Sequence, residues 1–388
     1  MLWSCLYMPV LLLADLHCVV HNTCCEHHHG HRSVVLHTRP TVSVTGTCRC
    51  NMCVSTCVGV FCSKVQECPL TVSPGRQAQD ITQLGKIYDI AGITSTSVDD
   101  TDMQEYYNTT TERDYRVLQF FKGPGLHSTL CSPAPMWCSA GTTVQPTMVL
   151  ERMSRLQCKR VLEVGCAQGF CTLFLAHLCP DVAFRGIDIV PRHIEIAKQC
   201  GQGESFANAQ FTTCDATALH AFEDETFDLI FAVEALCHLD TPQKRNDFLT
   251  RASQRLSKGG TVLMIDGFRS PVFAEANPEQ QLAMQLAEKA FYINEMPSKN
   301  TWRQHALDLD FDVVEDMDLT AQVLPFWEQG WRVAHFALNF AYILKYVCMC
   351  FRLTKPAMAN FLAVATTAHA FQDRCTAEYG LLMLQKKK

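Results

Sequence analysis

Four carboxylates carry the chemistry that can be read first. Glu163, Asp188, Asp215 and Glu234 each sit in or at the end of a short apolar run: VLEVG (161–165), AFRGIDIV (183–190), AQFTTCD (209–215) and FDLIFAVE (227–234). After the first run, Gly165 and Gly169 bracket a short loop. Gly165 suits a positive φ and lets a ligand approach the backbone, and Gly169 lets the following helix pack close to the strand. Such a turn alone is weak evidence, because dinucleotide sites use one too. A phosphate on a helix N-terminus favours surroundings without acids, whereas acids dominate here. That rim suits a ligand with hydroxyls, a primary ammonium and a positive centre. Any one of these acids would serve equally as a helix cap. The four in order, with the glycines, carry the reading.

S-adenosylmethionine has those features. Asp188 is placed to take both ribose hydroxyls, and Asp215 to accept from the adenine amino group. Glu163, with the backbone near Val233 and Glu234, can hold the methionine ammonium. Their neighbours Cys166, Ile189 and Ala216 complete the expected cofactor surface. Ala167 stands where a third glycine is common, and alanine there is expected to keep the turn with a negative φ.

The elements that must position these residues alternate. Strand-like runs at 161–165, 183–190, 209–215, 227–234 and 260–268 are separated by helical stretches at 170–179, 191–200 and 241–256, and 278–292 follows. This alternation predicts a parallel sheet with helices on both faces, and near-continuous apolar strands agree with burial on both sides. Ligands then bind outside the carboxyl ends of the strands. Two further runs, FDVVEDMDL (311–319) and YGLLML (379–384), enclose a long segment at about 320–376.

The chain resembles class I S-adenosylmethionine-dependent methyltransferases. The resemblance runs from about residue 160 to the C-terminus and rests on LEVGCAQG (162–169), GIDIVPRHIEIAK (186–198), CDATAL (214–219), FDLIFAVEALCHL (227–239) and LSKGGTVLMID (256–266). It implies an α/β, Rossmann-like seven-strand sheet in the order 3-2-1-4-5-7-6, strand 7 antiparallel, with a helical insert between strands 6 and 7. VEALCH (233–238) and the insert are similar to the sterol and tocopherol C-methyltransferase group, although that group's aromatic, glycine-containing signature is absent from the N-terminal arm. Three regions are expected: a Cys/His-rich leader over 1–75, a helical arm over 76–150, and the methyltransferase domain over 151–388 with its helical insert at about 320–376.

The acceptor side is less specified. His238 and Glu234 are the candidates for a base, should the acceptor need to lose a proton. Tyr106 and Tyr107, in the arm, are the candidates for lining the acceptor pocket. The apolar stretch 331–366, interrupted by Arg332, His335 and Lys345, predicts helices that wall a lipophilic pocket or rest on a membrane surface. The expected partner is a small, lipophilic or amphipathic acceptor. A polar-amine N-methyltransferase, a non-catalytic scaffold and a nicotinamide oxidoreductase remain as alternatives.

Composition narrows the classes further. With a formal net charge of -6 and 48% apolar residues, the chain offers no polyanion-binding surface, so nucleic acid is not an expected partner. Ten of the 22 cysteines precede residue 70, with seven histidines nearby. Only Cys50 and Cys53 form a clear Cys-x-x-Cys pair, short of the paired sets a zinc site shows, so no metal is expected. Residues 1–75 read as a disordered or processed leader, with a targeting role open for the apolar start and a cytoplasmic or membrane-associated location. The scattered cysteines further on read as small buried hydrophobes.

Overall fold

The computed structural model describes residues 74–109, 128, 130, 141–202, 206–341, 343, 345, 355–372 and 374–387. These lie within the unit Cys68–Lys388. The cysteine- and histidine-rich leader falls outside them, as does most of the segment between 110 and 140.

Among the described residues, four helices precede the sheet: α1 (Pro74–Leu84), α2 (Ile90–Ser95), α3 (100–109) and α4 (Val144–Leu156). The alternating region follows as β1 (Arg160–Val164), α5 (Phe170–Leu178), β2 (Ala183–Asp188), α6 (Pro191–Cys200), β3 (Ala209–Thr213), β4 (Phe227–Val233), α7 (Pro242–Arg255) and β5 (Leu256–Arg269). Helices α8 (Pro278–Ala290) and α9 (Lys299–Asp308) lead to β6 (Phe311–Asp318). Helices α10 (Thr320–Leu338) and α11 (Lys355–Gln372) lie between β6 and β7 (Ala377–Lys386).

The strand order is β3-β2-β1-β4-β5-β7-β6. Strands β1 to β5 pair in parallel, and β7 runs antiparallel to both β5 and β6. This is the expected Rossmann-like sheet. Alternate residues of each strand feed two cores. Val161 and Phe231 face one, beside Leu175 and Phe371; Leu162 and Ile230 face the other, beside Phe248 and Trp302. Prolines in the first turns of α6, α7 and α8 start those helices, where a missing N–H costs no hydrogen bond. A third apolar cluster joins the arm to the insert, with Leu84 against Leu286, Leu338 and Leu362.

Helix α9 is absent from the sequence reading. Its apolar content is sparse, but Trp302 and Ala306 are buried one turn apart, and the Ser298 hydroxyl caps its start by accepting from the Thr301 N–H. No described helix is long and apolar enough to cross a membrane.

Candidate functional site

The switch point of the sheet lies between β1 and β4, the two central strands whose outer neighbours are β2 and β5. The loop after β1 is fastened to the end of β2. The Cys166 N–H donates to the Ile187 carbonyl at 2.8 Å, and the Ala167 N–H donates to Asp188 Oδ2 at 2.9 Å. Gly165 takes φ 68°, and a Cβ there would collide with the Ala235 side chain. Gly169 takes φ 85°, and a Cβ there would meet Phe211 and Ala197. Gly165 thus lies against the β4 end, and Gly169 lets α5 start close beside β3 and α6.

Ala167 corrects the expectation of a negative φ. It takes φ 47°, the left-handed region. The bond to Asp188 holds it there, at a conformational cost of about 1 kcal/mol for a residue with a Cβ.

Asp188 is buried, and its other oxygen accepts from the Val190 N–H at 2.8 Å, with His193 Nδ1 at 3.4 Å. A carboxylate offers about four acceptor directions, so room for hydroxyl donors remains. Asp215 folds its own turn, Oδ1 accepting from the Thr217 N–H at 2.7 Å and from the Thr217 hydroxyl at 2.8 Å. Ile189 and Ala216 are half-buried beside these acids, and Val233 is buried at the end of β4.

Glu163 lies one residue inside the β1 end and is buried. The Thr172 hydroxyl, on the first turn of α5, donates to its Oε2. Burial outweighs that bond and pushes its pKa up to about 7. Burial likewise pushes up the thiols of Cys166 and Cys171 beside it, keeping them neutral.

Glu234 takes φ 51° immediately after β4. Its carboxylate accepts from the Ser128 N–H, which lies 3.0 Å from both oxygens, from the Ser128 hydroxyl at 3.3 Å, and from the Tyr379 hydroxyl at 2.7 Å. Gln145 Nε2 in turn donates to the Ser128 carbonyl at 2.6 Å. The carboxylate thus joins three distant parts of the chain.

His238 closes the short turn after β4. Its Nε2 lies 3.0 Å from the Tyr107 hydroxyl, while its Nδ1 is enclosed and has no hydrogen-bond partner among the described residues. The residue keeps part of its surface open, but enclosure of the ring pushes its pKa down to about 4, so it is neutral near pH 7. Tyr107 also stands edge-on to His193, at 6.0 Å. Tyr106 points elsewhere: it is buried, stacks on Tyr292 at 4.7 Å and donates to Asn360 Oδ1 at 2.5 Å.

Asp266 was not singled out from the sequence. It accepts from the Cys237 N–H at 3.0 Å and the Gly267 N–H at 2.8 Å, and so braces the turn that carries Glu234 and His238. Burial, with Glu234 nearby, pushes its pKa up to about 7. The signal was available: an acid late in an apolar strand, as at Glu163.

Residues 161–260 match the family described as "Methyltransferase domain". An O-methyltransferase of Aspergillus nomiae is 27% identical over 170 residues, covering 44% of this chain and 71% of that protein. A fatty-acid O-methyltransferase of Mycolicibacterium smegmatis is 35% identical over 109 residues, 28% of this chain and 37% of that protein. Among solved structures, a cyclopropane synthase of Mycobacterium tuberculosis superposes with a TM-score of 0.59 at 11% identity, covering 74% of this chain and 99% of that one. Sheet order, glycine loop and matched domain define a Rossmann-like methyltransferase of class I. The chain is an S-adenosylmethionine-dependent methyltransferase.

Proposed function

We propose that the chain binds S-adenosylmethionine at the carboxyl edge of β1 to β4 and transfers its methyl group to a small lipophilic or amphipathic acceptor. The observation that carries the reading is the tie between Asp188 and the 165–169 loop through the Ala167 N–H, with acceptor directions left open on Asp188. The residues fit the cofactor: Asp188 for the ribose hydroxyls, Asp215 for the adenine amino group, Glu163 and the 233–234 backbone for the ammonium. Val233, Cys166, Ile189 and Ala216 supply the surrounding wall.

When bound, S-adenosylmethionine supplies a methyl group on a sulfonium, ready for in-line displacement. The chain's own task is to hold the acceptor atom in line and exclude water. Neutral His238 is the base in this reading. Glu234, already holding three donor groups, serves as an anchor for the arm and not as a free base.

The lipophilic acceptor is supported by the fatty-acid O-methyltransferase relative. It is also supported by the apolar insert, where Phe336, Phe340 and Ile343 are 58%, 51% and 62% exposed. Such a face suits contact with a lipid surface. The test is incubation with methyl-labelled cofactor and fractionated cell extract. Label in the organic-soluble fraction is expected; label confined to polar amines overturns the acceptor class.

A further inference from the structure

Among the described residues, two groups of large apolar side chains reach solvent, and they differ in charge. On β6, Val313, Val314 and Met317 are exposed but stand among Asp312, Glu315, Asp316 and Asp318. Acids of this kind blunt an edge strand and keep it in water. At the end of α10 and just beyond it, Phe336, Phe340 and Ile343 are exposed with no acid among them. Ile343 and Phe336 are the most exposed large apolar side chains of all those described. The rings of Phe336 and Phe340 lie edge to face, 5.6 Å apart.

The other face of α10 is already occupied. Trp331, Ala334 and Leu338 are buried, Leu338 in one cluster with Leu84 and Leu362, and Trp331 Nε1 donates to Asp80. The inner face fixes the helix, and the exposed positions, four and three residues apart, repeat on its outer side. Arg332, one turn before Phe336, and Lys345, two residues after Ile343, are exposed as well. The chain carries 39 acids to 33 bases, yet residues 329–372 hold Arg332, Lys345, Arg352 and Lys355 and not one acid.

We infer that the end of α10 is an interfacial anchor for a bilayer bearing anionic headgroups, and that this bilayer is the source of the acceptor, the second step resting on the lipophilic-acceptor reading above. Apolar side chains flanked by cations match what such a surface offers: a hydrocarbon boundary for the rings, and phosphates for the guanidinium and ammonium groups. A protein partner fits less well. A stable protein interface engages roughly 20 residues a side, and a second copy packed on this face would set cation against cation with no acid to oppose them. The contact lies along the surface, because no described helix is long and apolar enough to cross a membrane. The anchor also stands near the acceptor side. Helix α11 packs on α10, and its Asn360 takes the hydroxyl of Tyr106, whose ring lies 4.9 Å from Tyr107.

Flotation of the full chain with vesicles tests the anchor. Vesicles of equal parts phosphatidylcholine and phosphatidylglycerol should carry the wild type, and phosphatidylcholine alone should carry about tenfold less, a difference that raised salt narrows. Phe336→Gln combined with Phe340→Gln should weaken binding to the mixed vesicles about tenfold or more. Arg332→Gln combined with Lys345→Gln should lose the preference for phosphatidylglycerol. These side chains are exposed, so circular dichroism and S-adenosylhomocysteine affinity should match the wild type in both variants. A wild type that does not float, or that floats equally with both compositions, overturns the anchor. So does a wild-type dimer in sedimentation equilibrium that the phenylalanine pair of substitutions dissociates, since a second copy then holds this face. With methyl-labelled cofactor and mixed vesicles containing the cell's extracted lipids, label transfer should fall with binding in the phenylalanine variant. No transfer by the wild type, or undiminished transfer by a variant that no longer floats, overturns the bilayer as the source and leaves the anchor standing. Absence of S-adenosylhomocysteine binding to the wild type, read separately by calorimetry, would count against the methyltransferase reading and not against the flotation result.

Discussion

The Ser128 backbone N–H lies 3.0 Å from each carboxylate oxygen of Glu234, although the two residues are 106 positions apart. Tyr379 Oη completes the junction at 2.7 Å from Oε1. The arm, the end of β4 and the last strand therefore share one anion. Hydrogen bonds to a charged group contribute roughly 1.5–3 kcal/mol, and a stranded donor costs about 1–3 kcal/mol. Glu234→Ala should lower unfolding free energy by about 3 kcal/mol. Glu234→Gln, which keeps one acceptor oxygen, should lower it by about 1 kcal/mol. Urea denaturation checks both, and wild-type stability in Glu234→Ala would contradict the anchor.

Ala167 offers a gain instead of a loss. Its φ of 47° is natural for glycine and strained for alanine. Ala167→Gly should raise stability by about 1 kcal/mol or slightly less, since glycine also adds entropy to the unfolded chain. A destabilised Ala167→Gly, measured by thermal or urea unfolding, would show that the left-handed conformation is not the strained one.

Glu163 should report ligand binding through protons. Burial raises it from 4.5 to about 7. An ammonium placed beside it favours the carboxylate. Binding of S-adenosylhomocysteine near pH 6.5 should therefore release a fraction of a proton, and affinity should rise between about pH 6 and pH 8. In the ligand-free protein the sign is opposite. The folded pKa lies above the unfolded one, so the contribution to stability is full below about 4.5 and is lost as pH rises through about 7. Glu163→Gln should remove both effects. Calorimetry in two buffers of different ionisation enthalpy measures the release; none at pH 6.5 would contradict the ammonium's place at Glu163.

The arm is fixed to the insert by a second buried acid. Asp80 accepts from Trp331 Nε1 at 2.7 Å, His335 Nδ1 at 2.7 Å and His369 Nε2 at 3.0 Å. These bonds hold the Asp80 carboxyl below its ordinary range despite its burial. Removing the carboxylate strands the Trp331 and His369 donors, so Asp80→Ala should cost about 3 kcal/mol, and Asp80→Asn less. Limited proteolysis should show the α1 segment released in Asp80→Ala; protection equal to wild type would contradict the junction.

What could be read from the chain alone follows the range of each interaction. Glu163, Gly165, Gly169 and Asp188 are set by local turns and by strand ends. The sheet order followed from the family resemblance that the five motifs carry, and no local signal in the chain specifies it. The Ser128–Glu234 and Asp80–Trp331 bonds were not legible, because each joins residues separated by more than a hundred positions and no local pattern marks them. Ala167 shows a different limit. Residue type suggested a negative φ, but the tertiary bond to Asp188 decides it. The paired tyrosines were adjacent in sequence and divided in space, Tyr106 into the packing and Tyr107 onto His238.

Titration of S-adenosylhomocysteine into the full chain and into Asp188→Ala is the most direct test of the cofactor site. One-to-one binding to the wild type is predicted, weakened at least tenfold in Asp188→Ala, as expected from losing charge-assisted hydrogen bonds to the ribose and the brace of the 165–169 loop. No binding to the wild type, or equal affinity in a folded Asp188→Ala, would contradict the account.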